Sequence, residues 1–174
     1  IVVNEDDARI REAAASWGGK RVTFGVRGQA DVGAEDMVVD RTGGTRFTLR
    51  VGSFRGSLFL PLFGRSHVGN ALAAAAACRA AGLSPPEILE GLGEVRPVPG
   101  RLTVSGLAGG AFLVDDTYNA NPDSLRAALA ALGDVRGGGR LHLLLGDMLE
   151  LGEEAGPLHR EAGREIGKLG VESL

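Results

Sequence analysis

The stretch Val114–Ser124, VDDTYNANPDS, gathers the side chains of this chain best suited to holding a ligand. An apolar run, Ala111–Val114, meets two carboxylates, Asp115 and Asp116, and a polar loop then leads to Asn121-Pro122-Asp123. Asn121 is a helix-capping type, Pro122 suits the first helical position, and Asp123 complements the positive end of the helix dipole. A strand that passes through acidic and amide side chains into a helix is the usual edge of a ligand site in an α/β protein. Adjacent strand residues face opposite ways, so only one of Asp115 and Asp116 is expected to reach a given ligand. One ionised carboxylate at a strand end can grip ribose hydroxyls. A divalent metal is the weaker alternative, because no third acidic ligand is near in sequence. Asp123 already occupies the favourable end of the dipole, so the loop suits a nucleoside better than a phosphate. Phosphate contact then falls to an arginine, and Arg101, just after a stiff Pro-Gly segment, is the candidate.

Other polar residues admit two readings each. His67 and Asn70 are three apart at the start of the small-residue segment Gly64–Ala81, so they share a face of its first turn. They could hydrogen-bond a base edge or serve as ordinary caps. Asn4, Asp6 and Asp7 could orient a nucleotide or a metal, or form a polar strand exit that caps a helix. His142 lies in the apolar run Arg140–Leu145 and reads as a core histidine; His159 reads as a residue on a helix's polar face. The three histidines lie in unlike contexts, so no Ser-His-Asp set can be argued. There is no GxxxxGK[ST] loop, no GxGxxG and no zinc-like Cys/His spacing. The single cysteine, Cys78, cannot form an internal disulfide and reads as a small buried hydrophobe in a reducing compartment.

The elements that must position these residues follow from periodicity and punctuation. Ile1–Val3 reads as a buried strand, Asp7–Trp17 as a helix stopped by Gly18-Gly19, and Arg21–Gly25 as a second strand. Val32–Leu62 reads as an antiparallel meander, a small sheet at one side of a larger domain. Ser84-Pro85-Pro86-Glu87 fits a capping box that opens a short helix. Arg96–Arg101, with two prolines and a glycine, is the expected boundary between domains at 1–97 and 98–174. Beyond it come a hairpin, Leu102–Leu107 with Gly110–Val114, then a helix whose Leu125, Ala128, Leu129 and Leu132 share one face. Arg140–Leu145 suits a parallel strand buried on both faces, and Glu153–Leu169 a further helix, which makes a βαβ unit. A net charge of −3 gives no bulk electrostatic case for nucleic acid. No apolar run is long enough to span a bilayer. The start inside a strand, without Met or a basic leader, reads as a piece of a longer protein.

DDTYNANPDSLRAALAAL and LLLGDMLELGEEAGPLHREAG closely resemble the Mur ligases, and PVPGRL, GRSHVGNALAAAAA, GGTRFTL and VVNEDD fit the same family in the same order. The resemblance covers nearly the whole chain. It implies an α/β fold: the end of a central ATPase domain, helices plus a small antiparallel sheet, joined to the first βαβ part of a Rossmann-like C-terminal domain. It also implies a cytoplasmic, monomeric, ATP-dependent ligase that adds D-alanyl-D-alanine to UDP-N-acetylmuramoyl-tripeptide through an acyl phosphate, in peptidoglycan precursor synthesis. The family's P-loop, its Mg2+-binding residues and its modified lysine would lie before Ile1, and much of the dipeptide-receiving surface beyond Leu174. By motif position, Asp116 would hold the ATP ribose and Arg101 would reach its phosphates when the domains close. Asn70 and His67 would border the adenine, and Tyr118 and Asn119 would line the nucleotide site. The family commonly shows His-Asn where this chain has Ser66-His67, and an imidazole cannot present an amide's paired donor and acceptor. No catalytic residue and no metal ligand is assigned to this chain, which by itself is expected to be inactive. The alternatives are another acyl-phosphate ligase of the superfamily, such as a folylpolyglutamate synthase, and a non-catalytic nucleotide-binding fragment.

Overall fold

A computed structural model describes residues 1–174. The chain forms two compact units, one of Ile1–Asp40 with Gly44–Arg96 and one of Arg41–Gly43 with Pro97–Leu174. In the first, a five-stranded sheet has the order β1 (Val2–Asn4), β2 (Val22–Gly25), β3 (Val32–Asp40), β4 (Gly44–Val51), β5 (Phe54–Leu60). β1, β2 and β3 run parallel, whereas β3, β4 and β5 form the expected antiparallel meander. The meander is not a separate small sheet, because β3 continues the β1–β2 pair through Phe24↔Val32 and Gly25↔Gly33. The alternation in β4 explains this union. Thr45, Phe47, Leu49 and Val51 all turn to one buried face, and the same core takes in Val22 and Val32.

Helix α1 (Ala8–Ala14) follows β1, and α2 (Arg65–Ala81) and α3 (Pro85–Gly93) follow β5. Val68, Ala71, Leu72, Ala75 and Ala76 give α2 a buried stripe at helical spacing. Its alanines keep the helix backbone close to the sheet, and full burial of Leu72 and Val68 stabilises by about 1.5–3 kcal/mol each. Gly82 ends α2 in the left-handed conformation (φ 101°), its N–H donating back to Cys78 and Arg79 carbonyls. Glu87 accepts from the Ser84 N–H (2.8 Å) and hydroxyl, so the capping box expected for α3 is present. Two expectations are corrected. α1 stops at Ala14 rather than Trp17. Of Ile1–Val3 only Val3 is buried, since β1 is an edge strand covered on one face. No helix is long and apolar enough to cross a membrane.

In the second unit, β6 (Thr103–Gly106) and β7 (Phe112–Asp115) form the expected hairpin, registered Thr103↔Asp115 to Gly106↔Phe112. Helices α4 (Pro122–Arg136) and α5 (Ala155–Gly167) follow, and Arg126 on α4 binds Glu161 (3.2 Å) and Glu165 (3.1 Å) on α5. Ala128, Leu129, Ala131 and Val135 form the buried face of α4. Between the helices the expected buried strand at Arg140–Leu145 is reduced to a single parallel bridge, His142↔Ser173. Two backbone hydrogen bonds flank it, Leu143 N–H to Ser173 O and Glu172 N–H to Leu141 O. β7 pairs only with β6, so this run has no second strand neighbour; Leu141 and Leu143 are half-buried, whereas Leu144 is 99% exposed. For the same reason His142 is exposed rather than a core histidine, with Nδ1 2.8 Å from the Ser173 hydroxyl. The mixed α/β class holds; the second strand of its βαβ unit is only begun.

Candidate functional site

The VDDTYNANPDS segment runs from β7 into α4 as local chemistry requires. Asn121 Oδ1 accepts the Ser124 N–H (2.9 Å) and Ser124 Oγ accepts the Asn121 N–H (3.0 Å), a reciprocal cap before Pro122. The two carboxylates take different partners. Asp115 Oδ1 accepts from the Thr117 N–H (3.1 Å) and hydroxyl (2.7 Å), so it serves its own turn. Asp116 Oδ1 accepts from the Leu102 N–H (3.1 Å), fourteen residues away. A second tie joins the same loops, from the Tyr118 N–H to Gly100 O (2.9 Å). Above the Tyr118 ring, 4.1 Å from its centre, lies the Arg101 guanidinium.

The Val98–Leu102 turn makes this approach possible. Gly100 has φ 73°, and a Cβ there would stand 3.1 Å from Tyr118 N and 3.3 Å from Tyr118 Cβ. Leu102 has φ 51° although it carries a branched side chain, and that side chain is buried. A left-handed leucine costs roughly 1–2 kcal/mol. The Asp116 hydrogen bond and the burial of Leu102 hold it there. Arg101, Asp116 and Tyr118 are thus brought together in the second unit, and Asn119 lies exposed one residue beyond. The set offers a half-buried carboxylate held by the Leu102 N–H, an exposed guanidinium with fork geometry, and an aromatic face. A carboxylate of this kind can accept from vicinal hydroxyls, and the guanidinium can hold phosphate oxygens.

In the first unit His67 and Asn70 occupy the opening turns of α2, His67 half-buried and Asn70 exposed. Gly64 precedes them at the helix cap with φ 97° and no side chain to cap with, and its carbonyl accepts the His67 N–H (3.2 Å). Asn4, Asp6 and Asp7 serve backbone groups. Asn4 Oδ1 accepts the Asp6 N–H, and Asp6 accepts the Val26 (2.7 Å) and Arg27 (3.0 Å) N–H groups. Asp7 caps α1 through the Arg9 and Ile10 N–H groups, which hold its carboxyl below the usual carboxylate range. No group of three His, Cys, Asp or Glu side chains converges in a way that could hold a metal ion.

Residues 1–78 match the Mur ligase middle domain, and residues 100–172 match the glutamate ligase domain of Mur ligases. The chain belongs to the Mur ligase family. Among its relatives, the UDP-N-acetylmuramoyl-tripeptide–D-alanyl-D-alanine ligase of Escherichia coli K12 is 40% identical over 131 residues, 75% of this chain. The alignment takes in only 28% of that enzyme's length, so the chain covers well under half of it. A crystal structure of MurF from Acinetobacter baumannii shares 33% identity and a TM-score of 0.84, covering 98% of this chain and 37% of the other. MurF ligase from Thermotoga maritima in complex with ADP shares 26% identity and a TM-score of 0.80, covering 95% and 37%.

Sequence reasoning about this Mur ligase chain did not foresee two residues that shape the cluster. Gly100 and Leu102 set the backbone on either side of Arg101; the Pro-Gly pair signals a turn at Gly100, but nothing in the sequence marks Leu102 as left-handed. Elsewhere in the second unit, His159, read from the sequence as a residue on a helix's polar face, is half-buried on α5. Its Nε2 accepts the Met148 N–H (3.0 Å) and its Nδ1 donates to Ala155 O (2.7 Å). These partners require the neutral tautomer protonated at Nδ1, and they pin the Gly146-Asp147-Met148 turn.

Proposed function

We propose that this chain is the nucleotide-handling part of an ATP-dependent ligase that adds D-alanyl-D-alanine to UDP-N-acetylmuramoyl-tripeptide in peptidoglycan precursor synthesis. The observation that carries the reading is the likeness, at 33–40% identity, to enzymes and structures named for that reaction. The ADP complex of the Thermotoga relative supports a nucleotide ligand, and so does the donor set of the second unit. ATP, with Mg2+, would supply a phosphoryl group that activates the tripeptide carboxylate as an acyl phosphate, which the dipeptide amine then attacks, releasing phosphate.

This chain's own residues bind and orient. Asp116, aimed by the Leu102 N–H, would accept the ribose hydroxyls. Arg101 would bind phosphate oxygens through its N–H edge and stabilise the transferring phosphoryl group electrostatically. Tyr118 and Asn119 would lie at the nucleotide site. On the first unit Asn70, and less specifically His67, would border the adenine. No catalytic residue and no Mg2+ ligand is assigned here. The sequence has no GxxxxGK[ST] loop, so the chain by itself is expected to bind ATP weakly and to turn nothing over. The full enzyme is read as monomeric and cytoplasmic.

The test is calorimetric titration of the full-length protein with ATP and 2′-deoxy-ATP. Asp116→Ala should weaken ATP by about 1.5–3 kcal/mol, the worth of hydrogen bonds to a charged group, and should erase the preference for the ribose 2′-hydroxyl. Unchanged affinity and preference would remove Asp116 from the site. ADP release by the 174-residue chain, given both substrates and Mg2+, would overturn its expected inactivity.

A further inference from the structure

Tyr118 is 64% exposed, so burial in a core does not explain its placement. One face of its ring is covered instead by the Arg101 guanidinium, 4.1 Å from the ring centre. The two residues approach from separate loops, joined on either side of the stack by Tyr118 N–H to Gly100 O and Leu102 N–H to Asp116 Oδ1. We propose that Tyr118 is a positioning residue for Arg101, stacking on the face of the guanidinium so that its N–H edge meets a polyphosphate already aimed. The inference rests on the reading of Arg101 as a phosphate contact.

The geometry suits that division of labour. A guanidinium stacks through its face and binds phosphate through its edge, so the two interactions use perpendicular directions and do not compete. An exposed arginine on a flexible stem otherwise loses rotamer freedom when it binds, and a stack formed beforehand removes part of that loss. Lysine, a point charge without a planar face, could not be held this way. The phenol oxygen plays no part in the stack, so phenylalanine should replace tyrosine.

Tyr118 is the only tyrosine of this chain, so 3-fluorotyrosine gives a single 19F resonance that reports the stack without nucleotide. Arg101→Gln should shift that resonance; an unmoved signal overturns the stack whatever ATP does. In the full-length protein, Tyr118→Leu should weaken ATP about two- to fivefold, the range of an exposed cation–π contact, while Tyr118→Phe keeps wild-type affinity. In an Arg101→Gln background Tyr118→Leu should have no further effect, because the ring acts through the arginine. Additive losses overturn positioning and make the ring a direct nucleotide contact. A shifted resonance with ATP affinity indifferent to Arg101→Gln overturns the phosphate role, and the positioning role falls with it.

Discussion

Gly100 is the residue on which the second unit's cluster turns. Its φ of 73° is open to glycine and costly to others, and a Cβ would press on Tyr118 N at 3.1 Å. Gly100→Ala is therefore expected to destabilise by about 1–2 kcal/mol from backbone conformation alone. The crowded Tyr118 backbone must also give way, which should disturb the stack on Arg101. Thermal unfolding measures the first effect and the 19F signal of Tyr118 the second; an alanine variant with wild-type values in both would show that the turn is not under this constraint. Local signals at this scale were readable where they act over a few residues. Asn121, Pro122 and Asp123 announce the start of α4 because a helix start is satisfied by its own neighbours. The tie of Asp116 to Leu102 spans fourteen residues and depends on how the β6–β7 hairpin closes, so no local pattern encodes it.

Helix α3 shows how an element's ends set its response to acid. The Ser84 hydroxyl, and then the Ser84 N–H, hold the Glu87 carboxyl below the usual carboxylate range. A carboxyl depressed in the folded state binds fewer protons there than in the unfolded chain. Its contribution to stability is thus fully present above the ordinary carboxylate pKa and is lost as pH falls through the folded value. Glu87→Ala should lower the melting temperature at about pH 7, and the gap from wild type should shrink once Glu87 is protonated in the folded as well as the unfolded state. A gap that stays constant down the acid range would mean that the cap acts through packing rather than through the charged side chain. Like the start of α4, this box was legible in Ser84-Pro85-Pro86-Glu87. The small-residue run of α2 was legible as well, because alanine at most of its buried positions, Ala71, Ala75 and Ala76, implies close approach to whatever the helix covers. Strand status at Arg140–Leu145 was not, since a strand exists only through its partners and an apolar run does not say whether they are there.

At the scale of the whole molecule the two units differ in how much they bury. The first has one continuous core, in which Val32, Leu49, Leu60, Val68, Leu72 and two alanines of α2 are wholly enclosed. The second relies on a two-stranded hairpin, one face of α4 and a few residues such as Leu102, Met148 and Ile166, and leaves Leu144 and Leu149 open to water. A two-stranded hairpin is marginal without a layer to pack on, and stability follows buried apolar area. The second unit should therefore unfold at lower denaturant than the first. The chain supplies its own reporters, because its only tryptophan, Trp17, lies in the first unit and its only tyrosine, Tyr118, in the second. Urea titration followed by Trp17 fluorescence and by the 19F resonance of 3-fluorotyrosine should give two midpoints, the tyrosine's lower. Coincident midpoints would mean that the units unfold as one cooperative body despite their unequal cores. Separate midpoints would place the arginine–tyrosine stack in the less stable half of the chain, where a ligand held by Arg101 and Asp116 should raise the tyrosine midpoint first.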